Sequence, residues 1–150
     1  MKSIISHKPG ETFEYAREMA VEASPGAIIG LVGDLGAGKT IFAKGFAAGL
    51  GIDEPVTSPT FTIVCEYRDG RIPLYHFDMY RIEDADELFE IGWEEYLYGD
   101  GICLAEWADM VTAELPLETV IVTIDRVAGD EDLREITVST LLEWKERNRG

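Results

Sequence analysis

Glutamine is absent from this 150-residue chain, and asparagine occurs once, at Asn148. There are two cysteines, Cys65 and Cys103, each in an apolar run, and there is no CxxC, no Cys/His cluster and no HExxH motif. That usage predicts buried thiols in a reducing, cytoplasmic setting rather than a disulfide, and it suggests no zinc site. Basic residues are scarce: 13 Lys and Arg stand against 29 Asp and Glu, a formal net charge of −16. A protein that grips RNA or DNA directly draws most of its affinity from cations on phosphates, so any contact with nucleic acid is expected to be indirect. Apolar runs are short, none approaching the roughly 20 residues of a membrane span. The opening segment, Met1 to Pro9, has no apolar stretch of the signal-peptide kind, so no membrane association is expected. What remains is a chain with 46% hydrophobic residues and a mean hydropathy of −0.03, suited to one globular domain over residues 1–150.

The feature that is present, and decides the reading, is Gly33-Asp34-Leu35-Gly36-Ala37-Gly38-Lys39-Thr40. It follows the apolar run 27–32 and opens onto the helix-like stretch from Ile41, the strand, glycine loop and helix order that a phosphate-binding loop requires. Glycines let the backbone curl so that successive N–H groups face phosphate oxygens beside the positive end of the helix. Lys39 then reaches the β- and γ-phosphates and the Thr40 hydroxyl is placed to ligate Mg²⁺. The absences now sort the nucleotide-binding classes. A Ras-like GTPase needs a Gln to orient water and an Asn-Lys-x-Asp to read guanine, and neither exists here. A dinucleotide fold needs GxGxxG, whereas Gly36-Ala37-Gly38 is followed three residues later by Ile41. A small-molecule kinase, with an arginine-bearing lid and an acceptor pocket, is the weaker remaining alternative.

Periodicity and turn chemistry give the frame. A short edge strand is expected over 3–6, a helix over 11–23, the loop-delivering strand over 27–32, and a helix from Lys39 to near Gly49 with Phe42, Phe46 and Leu50 as its core stripe. Two strands, 61–67 and 71–77, flank Asp69-Gly70 as a hairpin. Asp84 with Glu87 marks a helix start running to about Ile91, and a turn or two follows over 93–98. Strands are expected over 101–105, 119–126 and 133–138, then a terminal helix capped by Thr140 and Glu143. The result is an α/β chain of the P-loop NTPase kind, a three-layer sandwich with a mixed, mostly parallel central sheet.

An ATP site needs a further acid near Mg²⁺, commonly an Asp at the end of a strand. Asp78, closing Leu74-Tyr75-His76-Phe77, is the leading choice. Glu106 ends the next apolar strand, where it is placed to orient or deprotonate water, or to hold the metal through water. His76 lies two residues before Asp78 and so faces the same side, as a partner of the site or as a structural histidine. Arg81 is the nearest cation to Asp78, and an ion pair with it is favoured over an arginine finger acting in cis. Between Arg81 and Arg126 there is no Lys or Arg but thirteen acids, from Glu83 to Asp125. That run reads either as a solvated face or as a docking surface for a basic protein partner.

Four segments together resemble the TsaE (YjeE) family, small bacterial ATPases of tRNA threonylcarbamoyladenosine synthesis. They are the phosphate loop 33–40; Val56-Thr57-Ser58-Pro59-Thr60-Phe61 with Glu66-Tyr67, similar to a switch-like segment; His76-Phe77-Asp78-Met79-Tyr80-Arg81, similar to an HxDxYR motif; and the pair Glu106-Trp107. Ile41 departs from the pattern, because many members carry a second Thr or Ser there; it is not the metal ligand. The resemblance implies ATP and Mg²⁺ as cofactors, with Thr40 and Glu106 near the metal and Asp78 as the acid of the second motif. It implies that Ser58 and Thr60 sense the γ-phosphate, that Trp107 sits beside the site, and that Thr12 and Arg134 approach the nucleotide. It further implies docking on TsaD within a TsaB–TsaD assembly that modifies adenosine 37 of tRNA, the tRNA being met only through that complex. Two roles follow: a slow, partner-dependent ATPase, or a nucleotide-gated binding module whose hydrolysis is incidental.

Overall fold

A computed structural model describes residues 1–34, 36–57 and 63–149. Seven strands form one sheet: β1 (Lys2–Ser6), β2 (Ile28–Val32), β3 (Val64–Tyr67), β4 (Leu74–Asp78), β5 (Ile102–Glu106), β6 (Val120–Val127) and β7 (Asp130–Thr140), in the spatial order β1-β7-β6-β2-β5-β4-β3. Five helices accompany them: α1 (Pro9–Glu22), α2 (Lys39–Gly49), α3 (Asp86–Glu90), α4 (Trp93–Leu97) and α5 (Leu141–Arg147), with two 3-10 turns over Ala108–Met110 and Thr112–Glu114. The four middle strands β6, β2, β5 and β4 are parallel. Both margins are antiparallel, through the β3–β4 hairpin on one side and β6–β7–β1 on the other. The expected parallel character thus belongs to the middle of the sheet. The second antiparallel margin arises because β6 and β7 are joined by a turn too short for a crossover, with a bulge at Arg126/Val127.

Two apolar layers cover the sheet. Alternation along β5 sends Ile102 and Leu104 into the cluster under α1 and α2, with Phe42, Phe46 and Leu50. Cys103 and Ala105 join the opposite cluster with Leu88, Trp93 and Leu141. All five β5 residues are buried, as a strand covered on both faces must be, so this strand reads as an unbroken apolar run until its final glutamate. Helices α1 and α2 touch backbone to backbone. A Cβ added to Gly45 would lie 2.2 Å from Phe13 O, and one on Gly49 would lie 2.3 Å from Arg17 O.

Element boundaries move for local reasons. Helix α1 begins earlier than expected because Pro9 occupies its first position, where a missing N–H costs nothing. Strand β4 begins after Pro73, which has no N–H to give a ladder, although its carbonyl accepts from Ile102 N. The Thr140–Glu143 capping box forms in full, with Thr140 Oγ1 accepting from Glu143 N and the Glu143 carboxylate accepting from Thr140 N. The analogue at Asp84 is half a box: Glu87 accepts from Asp84 N, while the Asp84 carboxylate turns to Asp86 N. No helix among the described residues is long and apolar enough to cross a membrane.

Candidate functional site

The parallel register brings three strand ends to one edge of the sheet. Leu31 of β2 pairs with Glu106 of β5, and Asp78 of β4 pairs with the same Glu106. Glycines 33, 36 and 38 then carry the chain from β2 into α2. Gly36 and Gly38 take φ values of +78° and +120°, which a side chain would resist. Helix α2 starts at Lys39 behind Gly38, without a side-chain cap and without an acidic residue in its first turn. Its N-terminal N–H groups therefore face the cleft with the positive end of the helix dipole.

The cleft has a volume of about 520 Å³, and Gly36, Lys39, Thr40, Asp78, Glu106 and Trp107 are among its lining residues. Arg81, Ile41, Gly38 and Tyr80 complete the lining. Lys39 is only 5% exposed. Its ammonium donates to Gly33 O and Asp34 O and stands 3.9 Å from the centre of the Trp107 ring. Burial pushes its pKa down, against the pull of the Glu106, Asp109, Asp34 and Asp78 carboxylates. With one cation among four carboxylates the cleft carries an excess of negative charge, so it suits an anion only when a further cation arrives with it.

Glu106, 4% exposed, accepts from His76 Nε2 at 2.6 Å, and His76 itself is 0% exposed. The contact follows from alternation: His76 and Leu104 are register partners, and Glu106 lies two residues beyond Leu104 on the same face. Because a carboxylate only accepts, the Nε2–H donates, and Nδ1 has no hydrogen-bond partner among the described residues. The Asp78 carboxylate accepts from Tyr80 N at 3.0 Å, which fixes the turn after β4, and Asp78 lines the cleft. Trp107 holds a left-handed backbone (φ 59°), the one non-glycine among the described residues to do so. That turn swings its ring away from the strand, over Lys39 and against the Tyr80 ring at 4.8 Å.

The other expected residues fall as follows. Arg134, on β7, donates through Nε to Ala37 O at 3.0 Å, so it grips the glycine loop from the hairpin side. Its Nη1 holds Glu131 O and Leu133 O. Thr12 is buried under β1 with its hydroxyl 2.7 Å from Ser6 Oγ, and it does not line the cleft. Leu35, Ser58 and Thr60 lie outside the described residues. Two further residues belong to the neighbourhood. Arg126 is the cross-strand partner of Arg134 and has Nη2 3.0 Å from the Cβ position of Gly36; only the β6–β7 register, invisible before folding, puts it there. Tyr80 stood within the quoted motif, where its spacing from Asp78 was the available signal.

The sequence model described as "Threonylcarbamoyl adenosine biosynthesis protein TsaE" matches residues 6–136. A tRNA threonylcarbamoyladenosine biosynthesis protein TsaE of Bacillus subtilis is 51% identical over 133 residues, covering 89% of this chain and 82% of the relative. The corresponding protein of Treponema pallidum is 43% identical over 135 residues, covering 90% of this chain and 98% of the relative. The crystal structure of Bacillus subtilis YdiB superposes with a TM-score of 0.77 at 42% identity, covering 99% of this chain and 96% of that one. With a match across most of the chain in sequence and in shape, the protein belongs to the TsaE family of tRNA threonylcarbamoyladenosine biosynthesis.

Proposed function

We propose that this protein binds ATP with Mg²⁺ at the cleft between the 33–40 loop, Asp78 and Glu106, and hydrolyses it slowly as an accessory subunit of a TsaB–TsaD complex. In that role it supports formation of N6-threonylcarbamoyladenosine at position 37 of tRNA. The observation that carries the reading is the buried Lys39 ammonium, held on the loop's own carbonyls at the uncapped start of α2, with Thr40, Asp78 and Glu106 on the same cleft. The order of the sheet supports reading it as a P-loop NTPase fold: β2, flanked by parallel β5 and β6, runs through the glycine loop into a helix.

The residues fit the group they would receive. Gly36 and Gly38 adopt backbone that only glycine tolerates well, so amides approach a phosphate chain without intervening side chains. Thr40 supplies a hydroxyl, and Asp78 and Glu106 supply hard oxygen ligands, the donor set of a small divalent cation. When bound, Mg²⁺ would neutralise charge on the β- and γ-phosphate oxygens. Lys39 would exchange its carbonyl partners for phosphate oxygens. His76 holds the Glu106 carboxylate by its Nε2–H, and that carboxylate would accept a proton from water or hold the metal through water. Arg134 braces the loop from the hairpin through Ala37 O, with the Arg126 guanidinium close to Gly36. No glutamine is present to position water, which agrees with slow turnover unless a partner completes the site.

The test is calorimetric titration of Mg·ATP into wild type and Lys39→Ala, joined to steady-state hydrolysis with and without TsaB–TsaD and tRNA. Loss of one charge-assisted contact of about 1.5–3 kcal/mol predicts roughly 10- to 150-fold weaker binding by the variant. Equal affinity in both proteins would remove the site; equal rates with and without the complex would remove the accessory role.

A further inference from the structure

A second cleft, of about 560 Å³, lies away from the phosphate loop between helices α3 and α4 and the segment 113–116. Its floor is apolar and fixed. Trp93 and Leu115 are buried there, and the Trp93 indole N–H donates to Glu114 O at 3.2 Å, tying one wall to the other. From the sheet side, the Phe77 ring meets Trp93 edge-on at 4.7 Å. On this floor stand two large rings that the fold leaves in water: Phe89 is 74% exposed and Tyr98 is 78% exposed. Both line the same cleft. The cost of leaving aromatic area of this size wet calls for an occupant.

Charge says which kind. Glu94, Glu95 and Glu114 line the same cleft. Asp86 and Glu90 are exposed on α3, beside Phe89. No Lys or Arg occurs anywhere from residue 82 to residue 125. A groove with an apolar floor, aromatic walls and a rim of one sign matches an amphipathic helix of the opposite sign. Its aliphatic side chains would enter between Phe89 and Tyr98 while its cations meet the rim carboxylates. A nucleic acid would meet like charge, and a second copy of this chain would bring its own acidic rim against this one.

We propose that the α3–α4 groove is a docking site for a basic amphipathic helix of a partner protein, separate from the nucleotide cleft. The probe is an 18-residue Lys/Leu peptide with leucines at helical spacing, titrated into the uniformly ¹⁵N-labelled full chain and followed by amide shifts. A Lys/Ser peptide of equal charge, an RNA oligonucleotide and a dilution series of the free protein serve as comparators. Expected are shifts concentrated in residues 85–98 and 113–116, weakening with salt, with affinity at least tenfold lower for the Lys/Ser peptide. The double variant Phe89→Ser/Tyr98→Ser should lose the same tenfold toward Lys/Leu while its Mg·ATP affinity stays that of wild type. Shifts spread over the acidic surface, equal affinity for the two peptides, or an unaffected double variant would overturn the proposal. So would groove shifts produced by RNA, or by concentration of the free protein alone, since each assigns the groove to a different occupant.

Discussion

Gly45→Ala sets helix propensity against helix packing, and the structure decides which wins. In a free helix the change gains about 0.8–1 kcal/mol, because alanine loses less backbone entropy on ordering. Here the new Cβ would stand 2.2 Å from Phe13 O and 2.9 Å from Phe13 C and Cα, all backbone atoms of the facing helix. No rotamer change relieves that contact, so α1 and α2 must part by about 1 Å, loosening Ala16 and Ala20 from Phe42 and Phe46. Overpacking of this kind costs about 1–3 kcal/mol, and a clash of backbone against backbone belongs at or above the top of that range. The net expectation is a loss of about 2 kcal/mol, or about 4–8 °C in Tm for a chain of this length. Gly10→Ala is the internal control. It lies in the first turn of α1 with nothing within 4 Å of its new Cβ, so only the propensity gain remains. Thermal unfolding followed by circular dichroism should therefore move the two variants in opposite directions. A Gly45→Ala protein as stable as wild type would refute the claim that backbone contact, rather than side-chain fill, sets the α1–α2 distance.

Glu106→Gln should retain Mg·ATP binding within a few-fold while lowering the hydrolysis rate by roughly 10²-fold or more, the usual yield of a positioned base; unchanged single-turnover kinetics would exclude that role. Burial pushes the Cys103 thiol up to about 12, so it stays protonated and shielded, whereas Cys65 is partly exposed. An aromatic disulfide reagent at pH 8 should then titrate one thiol per native chain and two in guanidinium, and two fast thiols in the native protein would contradict the burial. Thr140→Ala should cost about 1 kcal/mol in denaturant titrations through loss of the N-cap. The partner carboxylate, Glu143, is held below its usual range by Thr140 N–H, so its share of stability is present above the ordinary carboxylate pKa and fades as pH falls through the lowered value. A wild-type minus Glu143→Ala difference that does not shrink on acidification would contradict that linkage.

Much of the site was legible beforehand because its groups are close in sequence to features with strong local signatures. The loop glycines, Lys39 and Thr40 follow one strand and open one helix, and Asp78 and Glu106 each end an apolar run. The core stripe Phe42, Phe46 and Leu50 came from helical spacing alone and is fully buried. What resisted reading was set by pairing between distant strands. That His76 faces Glu106 needs the parallel β4–β5 register, and that Arg126 lies over Gly36 needs the β6–β7 register together with the neighbour relation of β6 and β2. Likewise, β7 starts earlier than expected because its first residues, Asp130-Glu131-Asp132, carry little strand propensity and are held by the neighbouring strand of the antiparallel margin. Arg134 could be named from resemblance, but its grip on Ala37 O depends on that same margin.

The strand order also dictates a timetable. The strand that delivers the phosphate loop, β2, is made early, yet both of its neighbours are synthesised long after it, β5 ending at Glu106 and β6 at Val127. A nascent chain that has just emerged through the glycine loop has no lateral partners for it. Completion of the cleft is therefore a late event in biogenesis, and the half-made polypeptide must keep an apolar, unpaired β2 from aggregating for most of its translation.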